Sequence, residues 1–358
     1  MAVTHYEPLG STDVTTTKTL LHESIPLTGT IVSGTYGTFP DDSNVKNYTH
    51  GMFQSVYDYP YLSSSANHIF DLTAGFGANS VLSGGANIVQ QSKKINIYNQ
   101  LSQLLLGYTS SANTIRNFEA DLLLDQSGSV MKEAFFVNFS RLLYKDEMKP
   151  GSFSMTLGTG SWATAMASTI TLVDASASQG VQGIKNTQGG NYGVLYSNAS
   201  GSDGNTAHGV VFYQAGIAIL SSSVFASTTF FNSGSKLSGS GATPLSVEGS
   251  FVSASISGSC DALRHRVKNV SFNNTTEINS TIYFCRVPAN KYNYSANPTY
   301  VSSSKIVVKS VASDTPVSYI TTVGLYNASN ELLAIAKLSE PLKKDPSNEI
   351  TLRVRLDY

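Results

Sequence analysis

The run YITTVGLYNASNELLAIAKLSEPLKKDPSNEITLRVRLDY, Tyr319 to Tyr358, decides the fold class. Tyr319, Thr321, Val323 and Leu325 fall on one face and Ile320, Thr322 and Tyr326 on the other, the period of a strand and not of a helix. Asn327–Ala328–Ser329–Asn330 reads as a tight turn, because asparagine side chains bond the nearby backbone and tolerate left-handed φ. Glu331 to Leu338 is then the return strand. Beyond the Lys343–Lys344–Asp345–Pro346 loop, Ile350, Leu352, Val354 and Leu356 alternate with Thr351, Arg353, Arg355 and Asp357. The segment is expected to form a three-stranded antiparallel meander with one half-buried face.

Moving upstream, the same period dominates. Phe153, Met155 and Leu157 alternate with polar residues, as do Ile170 and Leu172 with Thr169 and Thr171. Val210 to Tyr213 and Ile217 to Leu220, joined by Gln214–Ala215–Gly216, read as a hairpin with two buried arms, and further strands are expected at Val267 to Phe272 and Thr281 to Val287. Two helices interrupt the pattern. One lies near 93–107, with Ser92 as its cap, Ile97, Tyr98, Leu101, Leu104, Leu105 and Tyr108 at helical spacing and Gly107 to end it. A shorter one is expected over 141–148, stopped by Pro150 and Gly151. The fold class is therefore mainly β: antiparallel, sandwich-like units with one or two helices. Four regions follow: an extended N-terminal arm at 1–40, a mixed α+β region at 41–150, a β-rich domain at 151–310 with a Ser/Gly-rich flexible loop at 232–250, and the meander at 311–358.

Composition narrows the function. Of 358 residues only 13% are charged, about half the usual share, so Ser, Thr, Asn and Gly carry the solubility. With a net charge of −1 the chain offers no basic field for phosphates, and nucleic acid is not an expected partner. Few surface charges do little to prevent association, which suits a subunit covered by neighbours. The N-terminus lacks the basic and apolar regions of a signal peptide, and no run reaches the ~18 apolar residues of a membrane helix. Cys260 and Cys285 are the only cysteines, too few for a disulfide framework in a chain this long, and are expected to be free thiols.

Candidate chemistry is sparse. Asp125–Gln126–Ser127–Gly128–Ser129, after the apolar Leu122 to Leu124, resembles the metal-ion-dependent adhesion site of von Willebrand A-type domains, where Asp125, Ser127 and Ser129 would offer oxygens to a divalent cation. That domain requires alternating strands and helices around a parallel sheet, and the period-two sequence after Pro150 does not supply them. A strand ending in a polar turn is the simpler reading, and no metal or cofactor is expected. Gly158–Thr159–Gly160 lacks the third glycine and helix of a dinucleotide site. The six histidines form no zinc-ligand pair, and carboxylates such as Asp58 and Asp71 have no evident catalytic partner. Catalysis is not expected.

One resemblance gives direction. Thr321–Thr322–Val323–Gly324–Leu325–Tyr326–Asn327, followed by Glu331–Leu332–Leu333–Ala334–Ile335–Ala336, resembles a segment of phage tail-fibre and tail-collar proteins. Ala134 to Glu147 and Gly209 to Leu220 look like virion structural proteins of large tailed phages, including cyanophage-like ones. The resemblance implies a virion location, reached by assembly in the host cytoplasm, in the tail, neck, collar or baseplate. The implied partners are copies of the chain itself and other phage structural proteins, with no membrane. Tyr319, Val323, Leu325, Tyr326, Leu333, Ile335, Arg353 and Arg355 are the residues expected to form the assembly interface. Two uses of the meander stay open at this point: it closes a sandwich of its own chain, or it pairs with another chain. The alternative function is a receptor-binding adhesin, in which the 232–250 loop and rings such as Tyr292, Tyr294 and Tyr300 meet a host surface glycan.

Overall fold

The structure is a computed structural model and describes residues 6–26, 42–84, 89–108, 114–118, 130–174, 184–197, 207–225, 231–232, 244–295, 299–302, 305–306, 311 and 313–358. It is mainly β, with 46% of residues in strands and antiparallel sheets, as the period-two pattern predicts.

Strand β1 (Val14–Pro26) is followed by β2 (Val45–Asn47), β3 (Gln54–Tyr57), β4 (His68–Phe76), helix α1 (Val89–Leu106) and β5 (Glu133–Phe139). One helical turn, α2 (Arg141–Tyr144), leads to β6 (Glu147–Met148), β7 (Ser154–Gly158) and β8 (Thr169–Val173). Next come β9 (Lys185–Thr187), β10 (Gly190–Leu195), β11 (Gly209–Phe212) and β12 (Ile217–Ser221). The ribbon β13 (Phe231–Asn232) with β14 (Pro244–Leu245) precedes α3 (Val247–Ser253), α4 (Ile256–Arg264) and the long β15 (Val267–Val287). A second ribbon, β16 (Val301–Ser302) with β17 (Lys305–Ile306), precedes β18 (Ser318–Tyr326), β19 (Leu332–Lys344) and β20 (Ile350–Asp357).

The chain divides into two compact units, residues 21–276 and residues 1–20 with 277–358. This division differs from the regions expected from sequence, which divide at 40, 150 and 310. The reason lies in the larger unit's main sheet, ordered β2-β3-β4-β5-β12-β11-β10-β9, which takes strands from both sides of residue 150. Every pair in that sheet is antiparallel. Opposed residues share a face, so each face can be traced across it. Leu72 with Val137 and Phe70 with Phe139 look one way. There Phe139 meets Phe153 and Phe272 of the β7–β15 layer, and Phe135 meets Phe251 of α3. Phe136 looks the other way, onto Tyr98 of α1. The unit is thus layered, with helix α1, the sheet, and a second layer of strands and helices.

Helix α1 begins at Val89 and not after Ser92, and it ends as expected, with Gly107 at φ +76°. Ile97, Tyr98 and Leu105 are buried, whereas Leu104 and Tyr108 are exposed. Gly75 lets the helix lie close: a Cβ there would stand 2.6 Å from the Lys94 carbonyl oxygen. The second expected helix, 141–148, is only one turn long. Lys145 takes a positive φ of 59°, and Glu147–Met148 then pair with Asn274–Thr275 of β15, so pairing with a neighbouring strand overrides the local pattern. The loop expected at 232–250 is corrected at its C-terminal end. Ser246 caps α3 by accepting the Gly249 N–H at 3.1 Å, and Ser255 caps α4 in the same way through Gly258. Residues 233–243 lie outside the described part.

The meander is also corrected. β18 and β19 form a two-stranded antiparallel hairpin, but β20 does not add to it. It pairs instead with β15 over eight residues, from Ser280 opposite Asp357 to Val287 opposite Ile350.

Candidate assembly surface

The hairpin is pinned at both ends by its own polar residues. At the tip, Asn327 Oδ1 accepts the backbone N–H groups of Ser329 (2.9 Å) and Glu331 (2.8 Å), and Asn327 Nδ2 donates to Glu331 Oε2 at 2.6 Å. Asn330 takes the left-handed φ of 62° that the turn needs. At the base, the Lys344 ammonium is fully buried and donates to Asn293 Oδ1 (2.6 Å) and to the carbonyls of Asp345 (2.8 Å) and Ala289 (3.2 Å). Three donors meet three oxygens, which is what a buried ammonium requires. Ser318 donates to the Tyr292 carbonyl and Tyr300 to the Val317 carbonyl, fixing the first residues of β18.

Between these anchors the ribbon is largely apolar and only partly covered. Val323 opposite Ala336 and Leu325 opposite Ala334 form one face and are half-buried. Gly324 opposite Ile335 and Tyr326 opposite Leu332 form the other, where Ile335 is 58% exposed. Leu333, in the bulge, is 68% exposed and Tyr319, near the base, 63%. Among the described residues the Tyr326 ring meets that of Tyr6, edge-on at 4.9 Å. Among the described residues neither β18 nor β19 pairs with any other strand. A lone two-stranded hairpin is at best marginally stable in water, and clustered exposed apolar side chains on one mark a contact surface.

Six of the eight expected interface residues, Tyr319, Val323, Leu325, Tyr326, Leu333 and Ile335, therefore lie together on this hairpin. Arg353 and Arg355 do not. They project from β20 opposite Phe284 and Ile282 of β15, where Arg355 binds Asp357 at 2.7 Å and donates to Ser280 Oγ at 3.0 Å. Asp125, Ser127 and Ser129 lie outside the described residues. Among those described, no group of three or more His, Cys, Asp or Glu side chains is placed to hold a metal ion.

Other polar clusters have structural explanations. Asp71 Oδ1 accepts the Ser55 hydroxyl at 2.5 Å and meets His68 Nε2 at 2.8 Å. The carboxylate, not the imidazole, receives the Ser55 O–H, so the direct serine–histidine pairing of nucleophilic catalysis is not formed. Asp58 is bound separately by Asn67. Asp174 is buried in the larger unit and accepts the N–H of Gly151 (2.7 Å), the N–H of Phe153 (3.1 Å) and the Tyr213 hydroxyl (3.0 Å). Burial outweighs those donors and pushes its carboxyl up to about 6. Lys94 donates to the carbonyls of Phe251 in α3 and of Ala254 just after it, and burial brings its ammonium down to about 8. Sequence reading missed these buried charges, since one Asp or Lys in a chain carries no mark of its burial. Cys260 is buried and donates to the Leu72 carbonyl, Cys285 is partly exposed on β15, and both are free.

No protein-family model matches the chain, and comparison with curated proteins and with solved structures returns no match.

Proposed function

We propose that the chain is a structural subunit of a tailed-phage particle, in the tail, neck, collar or baseplate, which assembles with its own copies and docks neighbouring virion proteins through the β18–β19 hairpin. The observation that carries this reading is the hairpin itself, anchored at base and tip and apolar on both faces, with no third strand among the described residues. A surface of that kind is stabilised by another chain, not by water. The phage context comes from the resemblance of Thr321 to Ala336 to tail-fibre and tail-collar segments.

The test is incorporation into particles. Leu333→Ser with Ile335→Ser changes two exposed side chains and should leave the free chain folded. Losing their burial in an interface removes roughly 3 kcal/mol, so incorporation into purified particles should fall on the order of a hundredfold. Unchanged incorporation, or absence of the wild-type chain from particles, refutes the reading.

A second reading, an adhesin for a host surface glycan, is favoured by the exposed rings of Tyr292 and Tyr294. Tyr294→Ala separates the two: adsorption lost from fully assembled particles supports the adhesin.

A further inference from the structure

The two outer edges of the hairpin differ. β19 carries Lys337, Glu340, Pro341 and Lys343, and its pairing is interrupted where residues 338–341 have no partners on β18. Lysine, proline and bulges are the devices that protect an edge from pairing with another chain. β18, Ser-Tyr-Ile-Thr-Thr-Val-Gly-Leu-Tyr, has neither a charge nor a proline in its nine residues. Its middle is β-branched, which favours strand pairing. Of the hairpin's two edges this one is unguarded and, among the described residues, unpaired, and its electrostatics select the occupant. A charged partner strand would find no counter-charge on it, whereas a copy of itself brings no like charges into opposition in any register.

We propose that the β18 edge pairs antiparallel with the β18 edge of a second copy, across a twofold axis at Thr322, giving a four-stranded sheet β19-β18-β18-β19. This deepens the assembly reading above and rests on it. The register follows from geometry. A twofold axis perpendicular to the sheet requires opposed residues to share a face, so paired numbers must have the same parity. Centring on Thr322 uses the exposed length of the strand. Thr322 faces its own copy, Thr321 faces Val323, Ile320 faces Gly324, and the exposed Tyr319 ring faces Leu325. The Tyr319–Leu325 and Thr321–Val323 pairs are aromatic–aliphatic and β-branched combinations that stabilise cross-strand contacts. The Tyr326 ring and Leu332 already lie against Gly324, so Ile320 of the second copy would meet these apolar groups and not a side chain of residue 324.

The full-length chain tests this through Thr322→Cys in a Cys285→Ser background. Directly opposed antiparallel residues have Cα atoms roughly 4.5–5.5 Å apart, within disulfide reach. Mild oxidation should give a covalent dimer from Thr322→Cys and none from Lys337→Cys on the other edge. Thr322→Lys, which opposes two lysines across the axis, should shift the light-scattering mass to a smaller species. An oligomeric chain in which Thr322→Cys stays uncross-linked overturns the pairing and leaves the assembly reading standing. A cross-linked chain absent from particles does the reverse.

Discussion

At the residue scale the buried ionisable groups carry the clearest consequences. Asp174 has a folded-state pKa of about 6 against about 3.9 in an unfolded chain. The folded protein holds this proton more tightly, so the Asp174 contribution to stability is greatest below pH ~4, falls as pH rises to ~6, and is level above that. A shift of about two units corresponds to roughly 3 kcal/mol. Asp13, Glu23, Asp345 and Asp357 are held below their usual range by hydrogen bonds and neighbouring cations, so they act in the opposite sense as pH rises. Comparing the wild type with Asp174→Asn cancels that background. The difference in urea-unfolding free energy should move by about 2 kcal/mol in favour of the variant between pH 4 and pH 7. A difference that is constant with pH would show that Asp174 titrates as an exposed carboxylate. None of this was legible in the sequence, where Asp174 follows a strand and looks like any turn residue. Its three hydrogen-bond partners, Gly151, Phe153 and Tyr213, are brought together only by the tertiary fold.

At the element scale legibility followed periodicity. Helix α1, the β11–β12 hairpin and β18–β19 with its Asn327–Asn330 turn all carry their period and turn residues locally. The partner of β20 could not be read, because alternation tells which face a strand buries but not which strand lies beside it. That left Arg353 and Arg355 assigned to the hairpin, although β15 takes them. Helices α3 and α4 were hidden by serine and glycine, yet Ser246 and Ser255 were their caps. The hairpin has its own dynamic signature. With no third strand beside it among the described residues, its backbone bonds should open far more often than those of β4 and β5, which are central in an eight-stranded sheet. Hydrogen–deuterium exchange of the free chain should therefore label Tyr319 to Ala336 well before Ile69 to Phe76 or Ala134 to Phe139. In the assembled state the hairpin should become protected. Equal protection of hairpin and sheet in a dilute monomer would mean that the ribbon needs no partner.

At the scale of the whole molecule the two units are unequal. Every member of the continuous hydrophobic core lies in residues 21–276. In the smaller unit, among the described residues, the only apolar side chains buried are Val287 and Val354. That unit is held mainly by strand hydrogen bonds and by exposed ion pairs such as Lys291–Glu7 and Arg286–Asp13, which add little in water. Since burial of apolar surface is the dominant favourable contribution to folding, the smaller unit should unfold first and gain stability only when a partner covers it. The fully buried rings of Tyr98, Phe135 and Tyr213 belong to the larger unit, whose packing is reported by near-ultraviolet circular dichroism. In urea, far-ultraviolet circular dichroism should register an early loss of strand signal while the near-ultraviolet signal is largely unchanged, then a second transition seen by both probes. Raising the protein concentration should move only the first transition upward, because association acts on the unit that carries the hairpin. Coincident transitions at every concentration would mean that the smaller unit stands on its own, and would remove the thermodynamic reason for it to assemble.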